Sequence, residues 1–203
     1  GYTVAEQIGG QIFIDSWGWV FPDNPEEAAR HAGMAASVGH DRNGIYGGIF
    51  IAVCVSLAFS MTEPTAVIEK ALEYIPADCE YALVVKAVRE FHRESPGDWR
   101  ACRDFLTSDF GYDRYPGVCH IIPNAGVCAL ALYYGAGDFA RTVEIATMCG
   151  WDTDCNAGNV GCLMGIKNGL EGLNAGPDWR GPVADRLYLP TADGGSTISD
   201  AIK

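Results

Sequence analysis

Residues 45–60, IYGGIFIAVCVSLAFS, constrain this chain more than any other stretch. Their apolar side chains do not keep to one stripe but surround the helix they would form, so that helix must be enclosed by protein or by lipid. The near-continuous apolar run inside it, Ile49 to Phe59, is too short for a bilayer, which needs about 20 residues. Enclosure by other helices is what remains. The Gly47-Gly48 pair lets a neighbouring helix approach closely, or else marks a kink.

The rest of the chain supplies such helices. Asp23-Asn24-Pro25-Glu26-Glu27 reads as a cap, a proline in the first turn and two acids against the helix dipole, leading into AARHAGMAASV. EPTAVIEKALEYI (63–75) and DCEYALVVKAVREFHRES (78–95) repeat apolar residues at i, i+3 and i+4, and DWRACRDFLTSDF (98–110) is a shorter example. A turn-rich loop at 111–116 leads into IIPNAGVCALALYYG, and Asp138 caps FARTVEIATMCG. An Asp-led segment after Gly150 begins the last strong helix, which frays at Gly169 and Gly172. Strand alternation is lacking apart from a weak signal over Gln11–Ile14. Residues 174–203, rich in Gly, Pro, Asp and Thr, read as an irregular surface tail with one short terminal helix.

At 203 residues and 48% hydrophobic content, these elements predict a single all-α domain over 1–203, a multi-helix bundle. Ile49–Phe59 and Val160–Ile166 are its expected core.

Net charge is −12 with no basic run, which argues against a nucleic-acid backbone or an anionic membrane as partner. The eight cysteines form no CxxC pair and fit no zinc-finger spacing. Several lie in apolar stretches, where cysteine packs as a small hydrophobe. Free thiols and a cytoplasmic location are expected.

Chemistry is most concentrated in CGWDTDCNAGNVGCLMG (149–165). Asp152 and Asp154 stand one residue apart at a helix start, and helix capping accounts readily for one of them. A calcium loop of the EF-hand kind fails, because Ala157 stands where glycine is needed and Leu163 where the bidentate Glu is needed. A divalent cation is the third reading: two hard carboxylates suit Mg²⁺ or Mn²⁺, and the small residues Ala157, Gly158, Gly161 and Gly165 let the helix pack deeply. Burial makes an uncompensated carboxylate pair costly.

GWDTDCNAG (150–158) resembles the G-G-D-T-D-T-N-A-A signature of the ADP-ribosylglycohydrolase family. YYGAGDFARTVEIATMCG is similar to the helix-loop-helix before that signature, and residues 9–48 are similar to the family's glycine-containing substrate loop, next helix and Ser/Thr-His segment. The resemblance covers roughly residues 5–173. It implies an orthogonal all-α bundle with a two-magnesium centre, in which Asp152 and Asp154 ligate metal and Cys155 takes the place of a ligating Thr. A thiol is a poor ligand for Mg²⁺, so water is expected to substitute there.

For the substrate, the resemblance points to Gly9 and Gly10 in the glycine loop, to His40, and to Asn43-Gly44 beside it. Trp17 or Trp19 could stack on a base, and His120 could line the cleft; His31 and His92 are expected to be solvated.

The family's other metal cluster, a Thr/Ser-Asp-Asp-Thr run, does not occur in these residues. The chain is therefore expected to correspond to the C-terminal two-thirds of the family domain. Its remaining ligands and its general base would come from another segment or chain, and alone it would be inactive. The implied function is metal-dependent cleavage of the glycosidic bond between ADP-ribose and an acceptor, a protein side chain or small molecule. The rival reading is a non-catalytic, crystallin-like relative on the same scaffold.

Overall fold

The computed structural model describes residues 2–184, 186–188 and 198–199. Eleven α-helices account for most of them: α1 Tyr2–Ala5, α2 Gly9–Ile12, α3 Asp15–Val20, α4 Pro25–Ala36, α5 Asn43–Leu57, α6 Pro64–Ala71, α7 Glu80–Glu94, α8 Trp99–Phe110, α9 Ile121–Tyr134, α10 Phe139–Met148 and α11 Thr153–Asn174. The only strands among the described residues are a two-residue antiparallel pair, Leu187–Tyr188 with Ile198–Ser199. The fold is all-α. The expected terminal helix falls outside the described residues.

Two predominantly apolar helices, α5 and α9, form the centre. From Ile51 to Ala58 every residue is buried, as is every residue of α9. Phe59 departs from the expected core, because α5 ends at Leu57 and leaves that ring about half exposed. In the last helix only Val160, Leu163 and Met164 of the expected stretch are fully buried, since α11 lies on the outside of the bundle with one face inward.

Glycine sets how closely the inner helices meet. A Cβ on Gly47 would lie 2.4 Å from Ile121 Cδ1, and one on Gly48 would lie 2.5 Å from the Gly10 carbonyl oxygen. The pair thus serves close approach; α5 runs unbroken through it. The weak strand signal over Gln11–Ile14 is overridden, because α2 takes in Gln11 and Ile12 and buries Gln11 between helices.

Capping follows the sequence closely. Asn24 accepts from the Glu27 amide ahead of α4, with Pro25 in the first turn. Asp98 caps α8 and Asp138 caps α10 in the same way. Gly169, at φ 60°, interrupts α11 near its end.

A candidate metal centre at the start of the last helix

The chain enters α11 through two consecutive left-handed residues, Gly150 at φ 71° and Trp151 at φ 59°. For a bulky aromatic this conformation costs about 1–3 kcal/mol and persists only where surrounding contacts impose it. Those contacts are visible. The Trp151 indole is stacked on Tyr112 at 5.2 Å, and the Arg103 guanidinium lies 3.6 Å from its ring centroid. Arg103 also donates to the Cys149 carbonyl at 2.6 Å, which pins the turn itself.

The turn delivers Asp152 to the N-cap position of α11, yet its side chain makes no capping bond. Capping is therefore not what this carboxylate does. Its Oδ2 accepts instead from the Cys119 thiol. Asp154, one residue into the helix and exposed, is held below the ordinary carboxylate range by a hydrogen bond with Asp152, then by its own amide and that of Cys155. Ligand atoms of Asp152, Asp154 and Cys155 all lie within 4.8 Å of one another. Burial pushes the Cys155 thiol up to about 12, with the neighbouring Asp152 adding to the effect, and Cys119 rises to about 11 for the same two reasons.

Behind the carboxylates sits Asn124, which sequence reasoning passed over. It is fully buried and makes four hydrogen bonds. Its Nδ2 donates to the Tyr112 hydroxyl at 2.8 Å and the His120 carbonyl at 2.9 Å, while its Oδ1 accepts from the Asn156 side chain at 2.8 Å and the Asp152 amide at 3.3 Å. One amide thus fixes the height of Asp152. The available signal was a lone Asn in the otherwise apolar IIPNAGVCALALYY: such a residue must find partners indoors.

A second polar string runs beside the first. Gln11 accepts from the Tyr81 hydroxyl at 2.9 Å and donates to Asn159 Oδ1 at 3.0 Å, and Asn159 donates to Asp15 at 2.9 Å. Burial raises Asp15 to about 7, against the lowering effect of its bonds from Asn159 and Cys162.

The other predicted residues gather around α2 and the start of α5. Gly9 and Gly10 lie in a helix, not a loop: a Cβ on Gly10 would be 2.3 Å from the Gly44 carbonyl oxygen in α5, and one on Gly9 would be 2.9 Å from Nε2 of His40, ahead of that helix. Gly44 would meet the Ala5 carbonyl at 2.4 Å. Asn43 spends its amide on Glu6 Oε1 at 2.7 Å and on the Tyr81 backbone amide at 3.1 Å. Each of these features does packing work that explains it locally. Half-buried His40 is held below the ordinary imidazole value by desolvation.

Trp17 stacks on His31 rather than standing open, with Phe21 on the same imidazole at 4.6 Å; His31 is therefore packed, not solvated. His92 likewise packs on Tyr133 and Tyr134. His120 is buried against Tyr115, its Nδ1 accepting from the Ile122 amide. An apolar groove of about 610 Å³ at the far end of α11, lined by Leu170, Leu173 and Trp179, shares no residue with the aspartate cluster.

The chain matches the ADP-ribosylglycohydrolase family over residues 4–200. It belongs to that family. No curated protein and no solved structure matches it. Family membership makes this an ADP-ribosylglycohydrolase-type hydrolase, and the carboxylate cluster lies within the matched stretch.

The donor set fits a divalent cation: two carboxylates converge, and one of them is turned away from the capping it would otherwise perform. The thiol among them is the one donor ill suited to Mg²⁺. Among the described residues no helix is long and apolar enough to cross a membrane, and all eight cysteines are unpaired.

Proposed function

We propose that this chain is a metal-dependent glycohydrolase, cleaving the bond between ADP-ribose and a protein or small-molecule acceptor, with Asp152 and Asp154 holding part of a centre for Mg²⁺ or Mn²⁺. The convergence of Asp152, Asp154 and Cys155 within 4.8 Å, in a chain of this family, carries the reading. A cation bound there would polarise substrate oxygens and lower the pKa of a bound water.

The protein's own part is positional. Arg103 and Tyr112 clamp Trp151 in its left-handed turn, Asn124 holds the Asp152 amide, and Cys119 fixes the Asp152 carboxylate through one oxygen. The exposed Asp154 carboxylate hydrogen-bonds to Asp152, and a bound cation would take the place of that bond. Two carboxylates do not complete an octahedral shell, so water, substrate or residues outside this sequence supply the remaining oxygens. Unpaired thiols support a reducing, cytoplasmic setting.

The test is calorimetric titration with Mg²⁺ and Mn²⁺ of wild type, Asp152→Asn and Asp154→Asn, with release of ADP-ribose from ADP-ribosylated protein and small molecules in parallel. Each variant should lose at least about tenfold in cation affinity and most of any turnover. Circular dichroism should hold, since neither carboxylate is buried in the core. Equal affinity in all three proteins would remove the aspartates from the centre. Cation binding with no ADP-ribose release would favour the non-catalytic, crystallin-like reading.

A further inference from the structure

The cluster contains a chemical contradiction. Its two carboxylates are hard donors, but Cys155, on the same turn of α11 and buried, brings a soft sulfur among them, and a second thiol, Cys119, faces Asp152 from the segment before α9. Both thiols touch the apolar core, but packing does not explain why two of them, from distant parts of the chain, converge on one aspartate. Mixed sulfur and oxygen donors at one point select against Mg²⁺, which takes oxygen in strict octahedral geometry, and for ions of the Zn²⁺ class, which accept sulfur and four ligands.

We propose that the position beside Cys155 takes a thiophilic divalent cation of the Zn²⁺ class, held by the Cys155 thiolate together with the Asp152 and Asp154 carboxylates, in place of a magnesium ion. The inference rests on the reading that the aspartates hold a cation, and it changes the ion at one position. On binding, Cys155 releases its proton to solvent as the metal–sulfur bond forms. Ligand atoms within 4.8 Å need only a small side-chain rotation to meet the ~2.0–2.3 Å bonds of Zn²⁺. Three protein ligands leave a fourth tetrahedral position open to water or substrate. Cys119, donating to Asp152 from behind, is the positioning residue for that carboxylate.

The experiment uses Co²⁺ as a spectroscopic stand-in for Zn²⁺, titrated into the full chain under reductant, with absorption and calorimetry read together. Wild type should show a near-ultraviolet sulfur-to-cobalt charge-transfer band that Zn²⁺ displaces and Mg²⁺ does not. Cys155→Thr should lose the band and at least about tenfold of Zn²⁺ affinity while keeping Mg²⁺ binding; Cys119→Ser should keep the band and weaken affinity by roughly 10–100-fold. Cys162→Ser is the control, because Cys162 also neighbours a carboxylate, that of Asp15, and its loss should leave the band intact. Circular dichroism of each variant guards against unfolding.

Cation binding without a charge-transfer band, or a band that survives Cys155→Thr, would overturn the thiolate assignment while leaving the aspartate centre standing. Absence of any binding that depends on Asp152 would bring down the centre and this inference together.

Discussion

Replacing Asn124 by alanine should cost the fold more than its single amide suggests. The substitution removes four hydrogen bonds at once. Two of the abandoned partners have no access to water: the Asn156 side chain is fully buried and His120 is 4% exposed. A buried polar group left unpaired costs about 1–3 kcal/mol, so these two give roughly 2–6 kcal/mol. The Asp152 amide and the Tyr112 hydroxyl are half-buried and recover part of their loss from water. Removing the desolvated Asn124 amide itself returns some of the cost, and the net is about 3–5 kcal/mol. For a chain of this length that corresponds to a fall in melting temperature of roughly 10 °C. Thermal unfolding followed by circular dichroism reads it directly. Asn124→Asp, which keeps the acceptor but sets a buried carboxylate against the His120 carbonyl, should be at least as harmful. A melting temperature within about 2 °C of wild type for Asn124→Ala would refute the claim that this residue holds the polar layer behind Asp152.

Gly10→Ala places a methyl 2.3 Å from the Gly44 carbonyl oxygen, a backbone atom that cannot swing aside, and should destabilise by about 3 kcal/mol or more in urea unfolding. Gly158→Ala, where the added carbon meets only Ile12 Cδ1 at 3.6 Å on an exposed part of α11, should instead stabilise by about 0.5–1 kcal/mol. Asp15 gives a pH signature: its folded pKa of about 7 exceeds the ordinary 3.8, so the folded state holds its proton longer and stability should fall as pH rises from about 4 to 7. Urea midpoints measured across that range should slope downward in wild type and flatten in Asp15→Asn; an unchanged slope in the variant would assign the effect to other groups.

The fold was legible because its helices announce themselves by two unambiguous patterns. The all-round apolar run of α5 has no alternative to enclosure, and Asn24, Asp98 and Asp138 begin helices where short polar side chains meet free amides. Boundaries slipped where propensity is weakest: Gln11 and Ile12 alternate like a strand, but a helix there aims Gln11 at Tyr81 and Asn159, and that tertiary gain overrides local preference. The aspartate pair could be read because two adjacent carboxylates at a helix start are improbable without compensation. Cys119 could not, since nothing within its own stretch marks a thiol that meets a carboxylate 33 residues away. Gly9, Gly10 and Gly44 stood out by glycine's permissiveness, which looks the same in sequence whether it admits a ligand or another helix.

The pairing of Gln7 with His120 bears on the order of events in folding. Gln7 meets His120 as an isolated antiparallel bridge, its side chain accepts from the Val118 and Cys119 amides, and the Ile8 amide donates to the Cys119 carbonyl. These contacts join segments 111 and 112 residues apart, and closing such a loop costs about 4 kcal/mol beyond a constant. Contacts so distant in sequence come late and slow the search. On the ribosome, Cys119 can meet Asp152 only after the chain has grown past residue 152, so helices α4 to α9 can be packed before the aspartate cluster exists. Assembly of the aspartate cluster thus comes late in folding, and any cation that bound it would favour the finished chain over earlier intermediates.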